Sequence, residues 1–591
     1  MTDNPVFLAA GSSEKAFSGP ANSDGRRADI IQIDTVLESM RDSGFDLTAA
    51  AGEPIDNSIE ADASLIRVQT AYGEGKRAIN EIAFADNGTG VKPDIMAHTL
   101  SMGFSSRYGE RGGLGRFGVG MKLAGLSLGR RIDIYTKRRD SEDIWHAYVD
   151  LNEIKDGKQT QIESRAVTAW PEDYSKLMET PDGRPFESGT LVVFGKIDRL
   201  TSGGHYGTAL DEKMSELRAF IARTYRYFLS KGIQIELDGK PVTLLDPLFL
   251  LDNPRIIKRY KPADVRGVVI DEGEIEIANN QSIYVTVTLA PPEFRHRSGD
   301  GGYTDSLGRD IREFQVADSA GKISMVRNGR EINYDIVPRL LPAGVDKVDR
   351  YIGIEVKFPA ELDEFFQVRN VKRGAVPVSK LREELRGWLE RPVKQARREI
   401  REHWGEIETK ERANTDSYAK VTDAVAHVEK TSPRGQAGRD LTDEETSQII
   451  DEILGDLNVT GSEDQGSIDS VRKRIDEKPI TLVDAQWPGS DLFRIRHLNG
   501  RAIVEINHRH PLWRDVFDPL KKAADDGGAG ATEQELVALI RKASVTVEVL
   551  VLAYAKAENL HLNPDDEFEQ LRTYWGTFAK AYLGEVIKKD Q

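Results

Sequence analysis

The stretch "AAAGEPIDNSIEADA" at residues 49–63 places several acids and an amide in what its small apolar residues predict to be a packed helix. Glu53 and Asn57 are four residues apart, so on a helix they share one face, and Glu60 follows on roughly the same face. Two carboxylates and an amide oxygen on one face suit a hard cation such as Mg²⁺ and a base that activates water. A solvated acidic helix start is the alternative that this segment alone leaves open.

The segment "IAFADNGTGV" at residues 82–91 runs from a buried-strand pattern directly into Asp86. An acid at the end of a strand can accept an amino group, and Gly88 and Gly90 let the backbone come close to a ring. Asp-Asn-Gly is also good turn chemistry, so a hairpin turn competes with the binding interpretation.

Glycine is concentrated in "GFSSRYGERGGLGRFGVGMKLAGLSLG" at residues 103–129, where seven of the residues from 103 to 120 are glycine. A helical pattern follows, and glycines before a helix N-terminus let backbone N–H groups close around phosphate. The segment is neither a Walker loop nor the dinucleotide fingerprint, which requires a preceding strand. Ser105, Ser106 and Lys122 add partners for phosphate, which favours a phosphate site over a flexible surface loop.

The order of these motifs carries more information than any one of them. E-x-x-x-N on a helix, D-x-G-x-G after a strand, G-x-x-G-x-G before a helix and "SGT" at 188–190 opening a strand follow one another within residues 30–200. In this order they resemble the GHKL ATPases, the Bergerat-fold superfamily that includes gyrase, MutL, a cytosolic heat-shock chaperone and the histidine kinases. The resemblance implies an α+β protein with a Bergerat α/β sandwich ATPase domain, a transducer-type α/β domain and a smaller C-terminal α/β region.

The resemblance also assigns roles to individual residues, with ATP and Mg²⁺ as cofactors. Glu53 is expected to be the general base that aligns the attacking water, and Asn57 the ligand of the Mg²⁺ that bridges the triphosphate. Asp86 is expected to receive the adenine amino group, and the lid is expected at residues 93–117. The other residues expected to bind the nucleotide are Gly88, Gly90, Ser105, Ser106, Gly115, Arg116, Phe117, Gly118, Val119, Gly120, Lys122 and Thr190.

One residue departs from the expected helix pattern. Pro54 directly follows Glu53, and proline costs about 3 kcal/mol in a helix interior although it is tolerated in the first turn. The sequence therefore predicts that this helix either starts near Gly52 or kinks at Pro54.

Two segments indicate a branch of the superfamily. "GFSSRYG…GRFGVGMK" resembles the lid of MORC-type ATPases, and "IEVKFPAELDEFFQVRNVKRG" at 354–374 resembles the end of a transducer domain. In that domain a basic residue reaches across to the γ-phosphate as part of the catalytic machinery. Lys372 matches this position, and Arg369 and Arg373 are neighbours that could take the role instead. A basic turn after a strand is the alternative.

Three other basic or histidine-bearing segments favour structural interpretations. Arg327 and Arg330, in "SMVRNGREI", are weaker candidates for the γ-phosphate contact, and a surface hairpin is predicted there. "RPVKQARREIR" at 391–401 could line a local basic groove, but charge runs usually form a solvated helix face. His508 and His510 suggest a metal site only faintly, and a turn at the end of a strand is favoured.

Composition shifts along the chain predict its domain organisation. The predicted segments are a polar arm at 1–28, the ATPase domain at 29–205, a transducer-like domain at 206–390, a charged helix at 391–428, a linker with a short helix at 429–477, and a C-terminal α/β domain at 478–591.

The composition predicts a cytoplasmic protein with no membrane partner. The chain has no Cys, which excludes disulfides, zinc–thiolate sites and thiol nucleophiles and fits a reducing compartment. Its start lacks the basic region of a signal peptide, and its longest later apolar run is too short to span a bilayer. The net charge of −16 argues against coating nucleic acid by charge alone, although it does not exclude a local basic groove.

Two function classes are compatible with these features. The first is an ATPase that acts as a dimeric clamp on DNA, forms a homodimer through its N-terminal domains when ATP binds, and serves antiviral genome defence or DNA compaction. The second is a chaperone-like remodeller of protein clients. Other protein subunits are compatible as partners in either class. The acidic balance favours the second class, and the lid and "FFQVRNVKRG" favour the first. A histidine kinase is disfavoured because no His precedes His98.

Overall fold

The structure is a computed structural model, and it divides the chain into three sheet-based units and a helical end. The predicted polar arm lies outside the described residues. The described residues are 33–73, 75, 77–102, 120–201, 209–260, 265–278, 280–295, 304–305, 308–314, 318–367, 375–414, 418–432, 435–457, 465–487, 489–525 and 532–590.

The first unit is built on an eight-stranded sheet. Its strands are β1 (Leu65–Tyr72), β2 (Ile79–Asp86), β3 (Gly129–Lys137), β4 (Ile144–Asp150), β5 (Ser164–Val167), β6 (Gly189–Ile197), β7 (Gln234–Leu237) and β8 (Lys240–Pro241). They lie in the order β5-β4-β3-β6-β2-β1-β7-β8, with every neighbouring pair antiparallel except β1 and β7, which are parallel. Four of the seven pairs join consecutive strands, whereas β3 with β6, β6 with β2 and β1 with β7 pair across longer stretches of chain, and β2 lies in the middle of the sheet.

Helices cover one face of this sheet. They are α1 (Ile33–Met40), α2 (Leu47–Glu60), α3 (Gly120–Leu128), α4 (Leu151–Lys155), α5 (Leu210–Thr224) and α6 (Arg226–Ser230). Leu37, Ile55, Leu126 and Ile221 from these helices enter one core with the sheet. A smaller apolar cluster on Tyr174, Met178, Phe186, Leu191 and Val193 joins the segment that contains the 3-10 helix Glu172–Met178 to β6. The predicted α+β sandwich is confirmed.

The first unit extends beyond the predicted boundary at residue 205. Leu217 and Ile221 of α5 are fully buried in its core, and β7 pairs with β1 in its sheet. The predicted boundary is wrong because the local sequence pattern of β7 predicts a strand but does not identify the sheet to which that strand belongs. Only the long-range pairing with β1 assigns it to the first sheet.

The second unit is a five-stranded sheet with a long helix packed against it. Its elements are α7 (Pro254–Arg259), β9 (Val268–Ala278), β10 (Gln281–Leu289), β11 (Ile323–Arg327), β12 (Arg330–Asp335), β13 (Ile352–Phe358) and α8 (Ser379–Asn414), with strand order β12-β11-β13-β10-β9. Short 3-10 helices lie at Pro292–Phe294, Arg312–Phe314, Lys347–Tyr351 and Ala360–Leu362.

Helix α8 crosses the boundary predicted at residue 390. Leu385 and Leu389 before that point and Val393 and Ile400 after it are all buried in the second core. Their helical spacing keeps one apolar face on the sheet throughout. The domain therefore does not end at residue 390, and the predicted charged helix at 391–428 is not a separate element.

The third unit has a small core that includes helices predicted to be a linker. Its elements are α9 (Ala419–Glu429), α10 (Asp443–Asp456), α11 (Gln465–Glu477), β14 (Ile480–Ala485), β15 (Phe493–Leu498) and β16 (Arg501–Asn507), with strand order β14-β16-β15. Ile453 of α10 and Val471 of α11 are buried with Val483 and Ile503 of the sheet. Helices α10 and α11 therefore belong to this unit rather than to a linker.

The chain closes with a helical end that exposes apolar side chains. Its elements are the π-helical turn Trp513–Phe517, α12 (Asp518–Asp525), α13 (Glu533–Glu558) and α14 (Pro564–Asp590). No residue of α13 is buried, and Val547 and Leu552 are 59% and 69% exposed. Across the described residues, none of the helices combines the length and the apolar character that a membrane span requires.

Candidate nucleotide site

Helix α2, which carries Glu53 and Asn57, is a long buried element. It begins at Leu47, where the Asp46 carboxylate caps it by accepting the Ala49 N–H at 2.9 Å. The expectation that the helix starts near Gly52 is therefore wrong, and Pro54 lies in the helix interior. Small alanines that are fully buried allow this helix to approach the sheet closely.

The Glu53 carboxylate lies against the N-terminus of α3. Glu53 is only 6% exposed, and a Cβ added at Gly120, the first residue of α3, would lie 1.9 Å from Glu53 Oε2. Glycine is therefore the residue that fits here. The first N–H groups of a helix have no partner within the helix and favour an anion, so this is also a place suited to phosphate.

Asn57 differs from Glu53 in being exposed, although both lie on one face of α2. Its amide oxygen is thus accessible to a ligand. Among the described residues, no cluster of three or more His, Asp or Glu side chains could hold a metal ion alone. A Mg²⁺ ion usually takes one or two protein ligands and completes its shell with phosphate and water, so the donor set fits a metal that arrives with a nucleotide.

Asp86 lies at the C-terminal end of β2 and is buried, with a pre-arranged set of donors. Its Oδ1 accepts the Gly88 N–H at 2.8 Å, and its Oδ2 accepts the Ser58 hydroxyl at 2.9 Å. Burial raises the pKa of Asp86 to about 6, although the bonds from Gly88, Ser58 and Thr190 lower it. An ionised carboxylate has about four lone-pair sites, so capacity for an amino group remains beside these three hydrogen bonds.

The two glycines after Asp86 are required by close contacts. A Cβ at Gly88 would lie 2.7 Å from the Ala61 carbonyl oxygen, and one at Gly90 would lie 2.3 Å from the Lys137 carbonyl oxygen. Gly90 also has a φ of +72°, which glycine adopts most readily. The next elements are the 3-10 helices Pro93–Ile95 and Ala97–Leu100, so the hairpin-turn interpretation is wrong.

Thr190 lies beside Asp86 because β6 pairs with β2. The two residues are register partners, and Thr190 Oγ1 is 3.3 Å from Thr136 Oγ1 on β3. Thr136 Oγ1 also accepts the Val91 N–H at 2.8 Å. Three strands and the segment after β2 are thus joined around the Asp86 carboxylate.

Lys122 is in the first turn of α3 and is buried. Its Nζ donates to the Ser101 carbonyl oxygen at 2.7 Å, and burial lowers its pKa to about 8. The described part of the predicted lid, residues 93–102, contributes Met96 and Leu100 to the first core. The first part of that segment is therefore packed.

Several predicted site residues lie outside the described residues, and their assignments stay predictions. They are Ser105, Ser106, Gly115, Arg116, Phe117, Gly118, Val119 and Lys372, together with the neighbours Arg369 and Arg373.

A buried ion pair that the sequence did not predict lies next to the site. Arg330 of β12 is 3% exposed, and its Nε donates to Asp56 Oδ1 on α2 at 2.8 Å. The Tyr225 hydroxyl donates to the same oxygen at 2.7 Å. The surface-hairpin prediction for Arg330 is wrong because the hairpin packs on the first unit. An acid on the buried face of a helix requires a partner, and Asp56 was the signal that could have indicated one.

The other basic and histidine residues singled out in the sequence have structural partners. Arg327 is buried and pairs with Asp363 inside the second unit. Arg397 of α8 is buried and pairs with Asp349, so the solvated-face interpretation is wrong at this residue. Lys394, Arg398 and Arg401 of the same segment are exposed, as that interpretation predicts. His508 Nε2 and Nδ1 contact Asp484 and Asp518 at 2.6 Å and 3.0 Å, and these contacts raise its pKa against the lowering effect of burial.

Comparison with known proteins covers the part of the chain that holds this site. Residues 46–183 match the family described as "Histidine kinase-, DNA gyrase B-, and HSP90-like ATPase". A segment of 96 residues is 30% identical to ATPase MORC2B and ATPase MORC2A of Mus musculus and to ATPase MORC2 of Homo sapiens. That segment is 16% of this chain and 9% of each relative. The family match contains Glu53, Asp86 and Gly120.

Proposed function

We propose that the GHKL-type ATPase domain at residues 46–183 binds ATP with Mg²⁺ and hydrolyses it to ADP and phosphate. The observation that carries the proposal is the packing of the Glu53 carboxylate against Gly120 at the N-terminus of α3. A general base thus lies next to a helix N-terminus that can bind an anion. Attack of water on a phosphate requires these two groups to be adjacent.

Asp86 selects the base of the nucleotide. Its carboxylate accepts the exocyclic amino group of adenine, while the Gly88 N–H and the Ser58 hydroxyl hold the carboxylate in position. Gly90 allows the backbone to come close to the ring, and Thr190 lies next to the carboxylate on β6. A base without an amino group in this position leaves a buried acceptor unpaired, which costs affinity.

Asn57 supplies the protein ligand to the metal, and Lys122 contributes a cation from the first turn of α3. When bound there, Mg²⁺ would supply positive charge to the triphosphate oxygens. The exposed Asn57 amide and the low-pKa Lys122 ammonium are both compatible with this arrangement.

Glu53 performs the proton transfer of hydrolysis. It orients water and takes its proton as the water oxygen bonds to the γ-phosphorus and the bond to the ADP oxygen breaks. The carboxylate lies beside the helix end, which puts it close to the proposed phosphate position.

Glu53→Ala tests this function, with Glu60→Ala as the matched control on the same helix. Removal of a general base lowers turnover by about 10²–10⁴-fold, whereas ATP binding should persist. Phosphate release with Mg²⁺ and with EDTA, and ATP affinity by calorimetry, measure the two quantities. Near wild-type turnover in Glu53→Ala, or loss of turnover only in Glu60→Ala, contradicts the assignment.

ATP binding is proposed to close a homodimer through the N-terminal domains, with Lys372 contacting the γ-phosphate, and the closed dimer to act as a clamp on DNA. The resemblance of the glycine-rich segment to MORC-type lids supports a DNA client. The net charge of −16 works against it, and the exposed apolar residues of α13 favour the alternative of a chaperone-like remodeller of protein clients.

A binding assay separates the two clients. Affinity for duplex DNA is measured with and without a non-hydrolysable ATP analogue, at two salt concentrations. Phosphate contacts give a steep loss of affinity with salt. Analogue-dependent, salt-sensitive binding supports the DNA clamp, and no binding at the lower salt concentration supports the protein client.

A further inference from the structure

A buried bridge connects the second unit to the helix that carries Glu53. We define it as Arg330, Asp56 and Tyr225. Arg330 Nε donates to Asp56 Oδ1 at 2.8 Å, and the Tyr225 hydroxyl donates to the same oxygen at 2.7 Å. Arg330 and Asp56 are 3% and 1% exposed. An ion pair this deeply buried is weakly screened by water, so its geometry constrains both elements.

The bridge is attached next to the catalytic position. Asp56 lies three residues after Glu53 and one before Asn57, on the adjacent flank of α2. A Cβ at Gly52 would lie 2.9 Å from Arg330 Nη2, so the guanidinium lies along that flank. Burial lowers the pKa of Arg330, whereas Asp56, Tyr225 and Glu53 raise it, with a net rise. Arg330 is therefore within electrostatic reach of Glu53.

The other end of the bridge belongs to a hairpin that is held firmly against the first unit. Arg330 opens β12, and the next residue, Glu331, pairs with Arg223 and Arg226 from the first unit. Arg226 is fully buried and also donates to Ser324 Oγ on β11 at 2.8 Å. The position of Arg330 therefore follows the position of the β11–β12 hairpin.

We propose that Arg330 is a positioning residue for ATP hydrolysis, which holds α2, and with it Glu53, in the geometry for turnover only while the β11–β12 hairpin is docked. This inference rests on the proposed function. Without Arg330, the Asp56 carboxylate stays buried without its cation, and α2 must shift to hydrate it. Since Glu53 is on the same turn, the shift moves the base away from the phosphate. Misplacement by about 1 Å can cost on the order of 100-fold in rate.

Arg327 provides a matched control in the same hairpin. It is also buried and also paired with an aspartate, since Arg327 Nε donates to Asp363 Oδ1 at 2.6 Å. Asp363 belongs to the second unit, so both members of this pair lie in that unit, unlike the pair of Arg330 and Asp56. If the loss of any buried ion pair lowers turnover, variants of both arginines will show it. If turnover depends on the position of α2, only the Arg330 variant will show it.

The decisive experiment compares Arg330→Met, Arg327→Met and the double variant Arg330→Met with Asp56→Asn. We expect kcat of Arg330→Met to fall by about 10- to 100-fold while the Kd for ATP changes less than about threefold. Arg327→Met should stay within about threefold of wild type in both kcat and the Kd for ATP. The double variant removes the uncompensated charge, so its Tm should recover while its kcat stays low. Recovery of kcat together with Tm overturns the positioning role.

A second readout does not depend on hydrolysis. Hydrogen exchange is measured without nucleotide, on peptides that cover residues 47–60. Faster exchange in Arg330→Met than in Arg327→Met supports the bridge even in a chain that does not turn over ATP. Equal exchange in the two variants overturns the inference. Failure of the wild type to bind or hydrolyse ATP overturns the proposed function instead, so the two proposals fail separately.

Discussion

Glu53 and Gly120 contact each other so closely that a single Cβ at the glycine would lie 1.9 Å from Glu53 Oε2. One residue ends the predicted glycine-rich phosphate segment and the other is the predicted general base, and 67 positions separate them in the chain. Their contact puts the predicted general base beside the predicted phosphate-binding helix end in the first unit. Four predictions follow from this site and its surroundings.

Gly120→Ala should impair both ATP binding and hydrolysis. The added methyl group cannot occupy the same space as the carboxylate, so Glu53 or the start of α3 must move. We expect turnover to fall by at least about tenfold. Gly387→Ala in α8 is the control, because a Cβ there meets no atom within 4 Å. Equal turnover in the two variants would show that the contact has no role.

Asp86→Asn should stabilise the nucleotide-free protein at pH 8 and abolish ATP binding. The folded-state pKa is about 6, above the ordinary 3.8, so the ionised carboxylate costs folding free energy above pH 6. That cost disappears as pH falls through 6 toward 4. We expect a gain on the order of 2 kcal/mol at pH 8 that shrinks by pH 5, measured by urea unfolding. Lower stability of the variant at pH 8 would contradict this account.

ATP affinity should fall as pH rises through about 8. Burial lowers the pKa of Lys122 to about 8, so the free protein loses this cation in that range, whereas a bound phosphate favours the charged form. We expect Kd to rise by roughly fivefold between pH 7.5 and 9. Lys122→Arg keeps its charge and should show a flatter profile by calorimetry at constant ionic strength. Parallel profiles in both proteins would assign the pH effect to another group.

ATP, but not ADP, should convert Glu53→Ala from an open form into a closed dimer. Driving such an equilibrium from mostly open to mostly closed takes roughly 5 kcal/mol, so several contacts must depend on the γ-phosphate. Sedimentation and light scattering with ATP, with ADP and without nucleotide test this. The same mass and shape in all three conditions would exclude an ATP-gated clamp.

The sequence by itself determined the class of the first unit. E-x-x-x-N, D-x-G-x-G and the glycines before α3 are local patterns, and their order along the chain does not require knowledge of packing. The strand pattern that leads into Asp86 matched the structure for the same reason, because β2 ends at Asp86. Side-chain alternation is a property of neighbouring residues, so a single sequence reports it.

Only the tertiary structure decided which groups meet around α2. Arg330 and Asp56 are 274 positions apart, and Ser58 reaches Asp86 across the gap between a helix and a strand. The limits of the first unit depended likewise on the pairing of β7 with β1. Local periodicity predicts that a helix face is buried, but it does not identify the residues that pack against that face. A buried charge is stable only with a partner, and that partner can come from any distant part of the chain.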